Sequence, residues 1–261
     1  MRPVRTRAAR AGTTGWERVE VTAAAGTRVH AAVLGPREAP EVVCVHGLGC
    51  SHRYFLPLAR CLAPGLRVVA PDLPGFGSTP GSRESPDVRG LSEALAAWLR
   101  ATARRGVPLV ANSAGCQVVV DLAVHSPELL GPVVLTGPTV DRHARSWPRQ
   151  LGRLVRNGAR ERSALAFVLL LDYLDCGPRR IITTFNHLLD DPVEHKLHHV
   201  PTPAVVVRGS RDPIAPRAWA REVAAALPRG RLAEVPDTGH TLNYSAPERL
   251  AEIVTALLRE S

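Results

Sequence analysis

Three residues in this chain have the types needed for a serine nucleophile with its base and its acid: Ser113, His240 and Asp212. A serine hydroxyl attacks poorly until a base removes its proton. Histidine suits that task because its ordinary pKa lies near neutrality. A carboxylate beside the ring fixes the tautomer and offsets the charge that the ring acquires. Ser113 stands in Val110-Ala111-Asn112-Ser113-Ala114-Gly115, between an apolar run and a helical pattern. Ala111 and Gly115 are small, as a tight strand-to-helix crossing requires. The plainer reading of Ser113 is a helix N-cap. His240 stands in Pro236-Asp237-Thr238-Gly239-His240-Thr241, after the last apolar run and before the last helical pattern. Asp212 lies in Arg208-Gly209-Ser210-Arg211-Asp212-Pro213-Ile214, 28 positions before His240. Asp141, which follows the preceding apolar run, is the rival acid.

The other histidines fit less well. His195, His198 and His199 cluster in a polar stretch, and His125 and His187 fall on helix faces. His46, in Val45-His46-Gly47-Leu48-Gly49-Cys50-Ser51, is expected to brace a loop.

The elements that must position these groups alternate regularly. Short Val-rich runs at 42–45, 66–70, 107–111, 132–136 and 204–207 have the character of buried parallel strands, and a last strand is expected at 229–235. Helical spacing recurs at 52–62, 87–104, 114–125, 216–227 and 247–259. Two alternating runs, 17–22 and 28–34, suggest an antiparallel pair at the sheet edge. The expected fold is α/β, a mostly parallel central sheet covered by helices on both faces. In such sheets sites form outside the carboxyl ends of the strands. The serine, the aspartate and the histidine all follow strand ends.

One stretch breaks the alternation. Residues 139–200 are helical in pattern and separate two core strands, so they are expected to form a helical cap or lid. The division expected is therefore a basic N-terminal tail over 1–15, a core made of 16–138 and 201–261, and the cap over 139–200.

Composition narrows the function classes. The 261 residues carry a formal charge of +9, yet only one lysine, Lys196, is present and the arginines are dispersed. Aromatics make up 4% and are not interleaved with the basic residues, which argues against nucleic acid. The five cysteines, Cys44, Cys50, Cys61, Cys116 and Cys176, are odd in number and lack ligand spacing. That disfavours a disulfide framework and a structural zinc site and points to a reduced, cytoplasmic protein. No apolar run approaches the length of a membrane span, and the basic start lacks the apolar stretch of a secretory signal.

These motifs together resemble the α/β-hydrolase superfamily over essentially the whole chain after residue 16. Ala111-x-Ser113-x-Gly115 is similar to its G-x-S-x-G nucleophile elbow, with alanine for the first glycine. Pro71-Asp72-Leu73-Pro74-Gly75-Phe76-Gly77-Ser78 resembles its D-x-x-G-x-G-x-S turn. The order serine, aspartate, histidine is the family's order. The resemblance implies an oxyanion hole from the backbone N–H groups of Leu48 and Ala114, and Asp212 rather than Asp141 as the acid, on its Gly-x-x-Asp-Pro context. It implies a serine hydrolase of carboxylic esters or related acyl compounds, acting on a small molecule without metal or cofactor. Trp147, Phe167 and Phe185 are expected to line the substrate pocket. Dehalogenases and epoxide hydrolases of this fold carry aspartate where Ser113 stands, so their reactions are disfavoured. Asn112-Ser113 is similar to the bacterial C–C bond hydrolases, but their Gly-Pro-Gly loop is replaced by Gly49-Cys50-Ser51. C–C hydrolysis, lactone opening and a non-catalytic ligand-binding role on the same scaffold stay open at this point.

Overall fold

The computed structural model describes residues 7–10, 15–158 and 163–261. Nine strands form one sheet: β1 (Arg7–Arg10), β2 (Arg18–Ala24), β3 (Thr27–Leu34), β4 (Glu41–Val45), β5 (Arg67–Pro71), β6 (Val107–Asn112), β7 (Leu130–Thr136), β8 (Ala204–Gly209) and β9 (Gly230–Val235). Their order is β1-β2-β3-β5-β4-β6-β7-β8-β9. The strands from β5 to β9 run parallel, whereas β1, β2 and β3 form an antiparallel edge that joins β5. β1 falls within the stretch expected to be a tail. It pairs with β2 from Arg7↔Val21 to Arg10↔Arg18.

The apolar runs are continuous because both faces of the sheet are covered. Alternate residues serve opposite layers, as the pleat requires. Val43, Val45, Val69 and Val206 join one apolar cluster, while Val42, Cys44, Val68 and Val205 join the other. The first is completed by helices α2 (Val88–Ala101), α3 (Ala114–His125) and α7 (Arg217–Ala226), through Leu95, Trp98, Leu122 and Trp219. The second is completed by α1 (Leu56–Leu62) and the C-terminal helix Pro247–Arg259, through Leu58, Leu62, Leu250 and Val254. β9 ends the sheet and is mostly half-exposed, with Arg231 and Glu234 on it, which suits an edge strand.

Between β7 and β8 the chain leaves the sheet. It forms α4 (Trp147–Gly158), α5 (Ser163–Cys176) and α6 (Pro178–Asp190), then two short 3₁₀ turns, before returning at Ala204. A four-residue helix, α8 (Leu242–Ser245), follows His240, and the C-terminal helix is α9. The helix expected at 52–62 is divided: a 3₁₀ turn covers His52–Phe55 and α1 starts at Leu56. All five cysteines are free. Among the described residues no helix is long and apolar enough to cross a membrane.

Candidate active site

Ser113 sits at the junction of β6 and α3 with φ 55° and ψ −122°. A non-glycine residue in that region is strained, and the surroundings must hold it there. They do so through the backbone: the Ser113 N–H donates to Thr136 O at 2.9 Å, and the Ser113 carbonyl accepts from Cys116 N at 2.9 Å. The crossing is tight on both sides. A Cβ on Gly115 would lie against the Val45 carbonyl and 2.7 Å from the His46 carbonyl oxygen. One on Gly47 would lie 3.1 Å from Ser113 Cβ.

Asn112, at the end of β6, ties together the end of β7, the 3₁₀ turn at Tyr54 and the histidine loop. Its Oδ1 accepts from Tyr54 Oη at 3.1 Å, and its Nδ2 donates to Thr136 O at 3.2 Å and His240 O at 3.4 Å. Neither Tyr54 nor this use of Asn112 was apparent from sequence, since their partners lie up to 128 positions away.

Asp212 and His240 meet directly, with Nδ1 2.8 Å from Oδ2. The second carboxylate oxygen, Oδ1, accepts from the N–H groups of Ile214 at 2.8 Å and Ala215 at 3.1 Å. Asp212 is buried. Burial alone would raise its pKa, but the facing His240 and the backbone donors of Ala215 and Ile214 outweigh it and hold the carboxyl below its ordinary value. An ionised carboxylate only accepts, so the Nδ1 of His240 carries the proton and donates it. Asp141 is engaged elsewhere: it accepts from His143 N at 2.9 Å and pairs with Arg153 at 2.8 Å. The His240 N–H donates to Asn157 Oδ1 at 3.2 Å, which brings the end of α4 against the histidine loop.

Gly137, just past β7, lies under this pair with φ 54°. A Cβ there would fall 2.7 Å from both Cε1 and Nδ1 of His240 and 3.2 Å from Asp212 Oδ2. Gly137→Ala is therefore expected to displace the ring. Activity should fall about 100-fold, as misplacement by an ångström can cost, and stability by about 1–3 kcal/mol from the forced left-handed backbone. Steady-state kinetics and urea denaturation measure the two effects separately.

The loop after β4 makes a turn. Cys50 N donates to Gly47 O at 3.2 Å, and Gly49, at the third position, has φ 68°. That is the pattern of a type II turn. His46 braces it: its Nε2 accepts from Leu73 N at 2.9 Å, so its Nδ1 carries a proton and donates to Gly47 O at 2.9 Å. The Gly47 N–H donates to Tyr54 Oη at 2.7 Å. Among the described residues neither the Leu48 N–H nor the Ala114 N–H has an acceptor. Ala114 opens α3, where the N–H groups of the first turn lack partners within the helix. Leu48 packs on an apolar cluster of Val88, Ala114, Val140, Phe185, Leu188 and Leu189.

Of the three expected pocket residues, two belong beside this cluster. Phe185 is inside it, and Trp147 stacks edge-on against Phe185 with centroids 4.4 Å apart. Phe167 is 63% exposed on α5 and lies outside the cluster. Among the described residues no group of three or more His, Cys, Asp or Glu gathers into a potential metal site.

Residues 42–253 match the Alpha/beta hydrolase family. The chain belongs to that family. This α/β-hydrolase is 27% identical over 252 residues to the pimeloyl-(acyl-carrier protein) methyl ester esterase of Aromatoleum aromaticum, covering 84% of this chain and 98% of that protein. Its fold is similar to that of the enol-lactonase from Burkholderia xenovorans LB400, with a TM-score of 0.75, 20% identity, and 92% and 99% of the two chains covered. It is also similar to the meta-cleavage product hydrolase from Pseudomonas fluorescens IP01, with a TM-score of 0.73, 18% identity, and 92% and 97% covered.

Proposed function

We propose that this α/β-hydrolase is a serine hydrolase of carboxylic esters, with Ser113 as nucleophile, His240 as base and Asp212 as the orienting acid. The observation that carries the proposal is the His240 Nδ1–Asp212 Oδ2 bond of 2.8 Å. With the proton on Nδ1, the lone pair of Nε2 is left to take the proton of Ser113 as its Oγ attacks the carbonyl carbon. The carbonyl oxygen gains negative charge in that step. The N–H groups of Leu48 and Ala114 donate to it, in keeping with their lack of other acceptors. His240 then gives the proton from Nε2 to the departing alkoxide, and the acyl group stays on Ser113 Oγ. Water attacks the acyl carbon and His240 takes its proton; the bond to Ser113 Oγ then breaks, His240 returns the proton to that oxygen, and carboxylic acid and free serine result.

Residues 139–200 act as a cap over the core of 16–138 and 201–261. The apolar cluster around Leu48, Ala114 and Phe185 favours an acyl group with an apolar chain, with Trp147 at its outer side and Phe167 further out. The related methyl ester esterase from Aromatoleum aromaticum supports an ester as the scissile bond. Five free thiols, four of them buried, suit the cytoplasm. A C–C or lactone bond is the second reading, favoured by the Asn112-Ser113 pair and by the fold shared with the enol-lactonase and the meta-cleavage product hydrolase.

A fluorophosphonate probe tests the proposal. It is expected to form its adduct on Ser113 and to block hydrolysis of aryl esters. A folded protein that leaves Ser113 unlabelled would overturn the nucleophile assignment and favour ligand binding without turnover. A panel with an aryl ester, a lactone and a ring-fission product then decides the bond, through the highest kcat/KM.

A further inference from the structure

Asp172 on α5 is fully buried, and its placement is costly. Its Oδ1 accepts from Ser51 Oγ at 2.7 Å and from Arg53 Nη1 at 2.7 Å. Its Oδ2 is buried with no hydrogen-bond partner among the described residues. A buried, half-satisfied carboxylate seldom adds stability over an apolar side chain of similar size, so stability alone does not account for it. What it grips is informative. Ser51 follows directly on the Gly47–Cys50 turn, and its Oγ also accepts from Arg53 N at 3.2 Å. The neighbouring Tyr173 lies on the same turn: a Cβ on Gly49 would be 2.6 Å from its Cε1 and 2.7 Å from its Cδ1. One end of the turn is therefore held by the core, through Tyr54 and His46, and the other end and its face by α5.

We propose that Asp172 is a positioning residue that latches α5 onto the oxyanion loop, so that seating of the inserted helices sets the aim of the Leu48 N–H. The latch rests on the reading of Leu48 as an oxyanion donor. When Asp172 releases Ser51, the turn loses its outer anchor and Tyr173 can lift from Gly49. The donor at Leu48 then wanders, although the Ser113, His240 and Asp212 side chains stay in place. The loss falls on the transition state, where the oxygen is charged, and little on substrate binding.

Five full-length variants test this on an aryl ester. Leu48→Pro removes the N–H and keeps the turn, because proline suits the second position of a type II turn, and Leu48→Ala, which loses the side-chain packing but keeps the N–H, is its control. Leu48→Pro is expected to lower kcat about 100- to 1000-fold. Asp172→Ala is expected to lower kcat about 10-fold or more with KM nearly unchanged. Asp172→Asn keeps an oxygen for Ser51 and Arg53 and replaces the unpartnered Oδ2, so it is expected to stay close to the wild type. In the double variant Asp172→Ala/Leu48→Pro, the Asp172 change is expected to add nothing, because its effect passes through a donor already gone. Should Asp172→Ala not fold, Ser51→Ala takes its place with the same expectation. An unchanged kcat in Leu48→Pro overturns the donor reading, and the latch with it. A collapse in Leu48→Pro with an unchanged kcat in Asp172→Ala overturns the latch alone. So does a loss in Asp172→Asn as deep as in Asp172→Ala, or a loss confined to KM.

Discussion

Ser113→Ala is expected to lower kcat about 10⁴- to 10⁶-fold and to leave the melting temperature unchanged. Both halves follow from the elbow. The Ser113 side chain makes no capping bond to α3, so removing the hydroxyl costs no structural hydrogen bond. Its backbone nevertheless holds φ at 55°, a conformation disfavoured for any side chain. Ser113→Gly sharpens the test. Glycine enters that region without the Cβ penalty, so the variant should gain stability, by about 1 kcal/mol, while losing the same activity. A residue whose removal stabilises the fold and abolishes turnover is held there for chemistry. Urea denaturation and steady-state kinetics on the same preparations give both quantities. Turnover of an aryl ester by either variant at more than about one hundredth of the wild-type rate would show that the nucleophile lies elsewhere.

The parallel sheet was legible because its strands are Val-rich and short, and because each ends in glycine, proline or a polar residue. Val205, Val206 and Val207 are buried whichever way the pleat turns them, so the period-2 pattern is absent and the continuous apolar run takes its place. The elbow was legible through Gly115, whose missing Cβ is a local requirement. What was not legible depends on contacts between distant segments. Asn112 seemed a family detail, but it spans β6, the end of β7 and the histidine loop. Asp172 follows an apolar helical run, Leu165 to Leu171, and has Asp175 three positions on, a spacing that looks like a solvated face. Its burial follows from Ser51 and Arg53, about 120 positions earlier. Phe167 was expected in the pocket as an apolar residue of the cap stretch, but helical spacing alone does not say which side of α5 meets the core: α5 buries Leu165 and Asp172 and leaves Phe167 63% exposed. β1 escaped notice because Arg-Ala-Ala-Arg has no apolar alternation and its pairing with β2 is all that defines it.

Asp212→Asn is expected to lower kcat about 10⁴-fold, the loss that follows when the histidine takes the wrong tautomer. The reason lies in the second carboxylate oxygen. Oδ1 accepts from the Ile214 and Ala215 N–H groups, so an asparagine must turn its carbonyl oxygen that way. Its Nδ2 then occupies the place of Oδ2, facing His240 Nδ1, and donates. His240 must answer with a lone pair on Nδ1 and carry its proton on Nε2, where it can no longer accept the proton of Ser113. The same substitution should alter the acid limb of stability. The Asp212 carboxyl is held below its ordinary value of 3.8 because His240 and the backbone donors outweigh burial. A folded pKa below the unfolded one gives a contribution that is full above the unfolded value and is lost as pH falls through the folded one. Urea denaturation of the wild type should therefore steepen its loss of stability below about pH 4, and the asparagine variant should show a flatter limb over that range. If Asp212→Asn keeps its activity while Asp141→Asn loses it, the acid is Asp141. That outcome would require Asp141 to leave Arg153 and His143 N, which hold it at 2.8 and 2.9 Å.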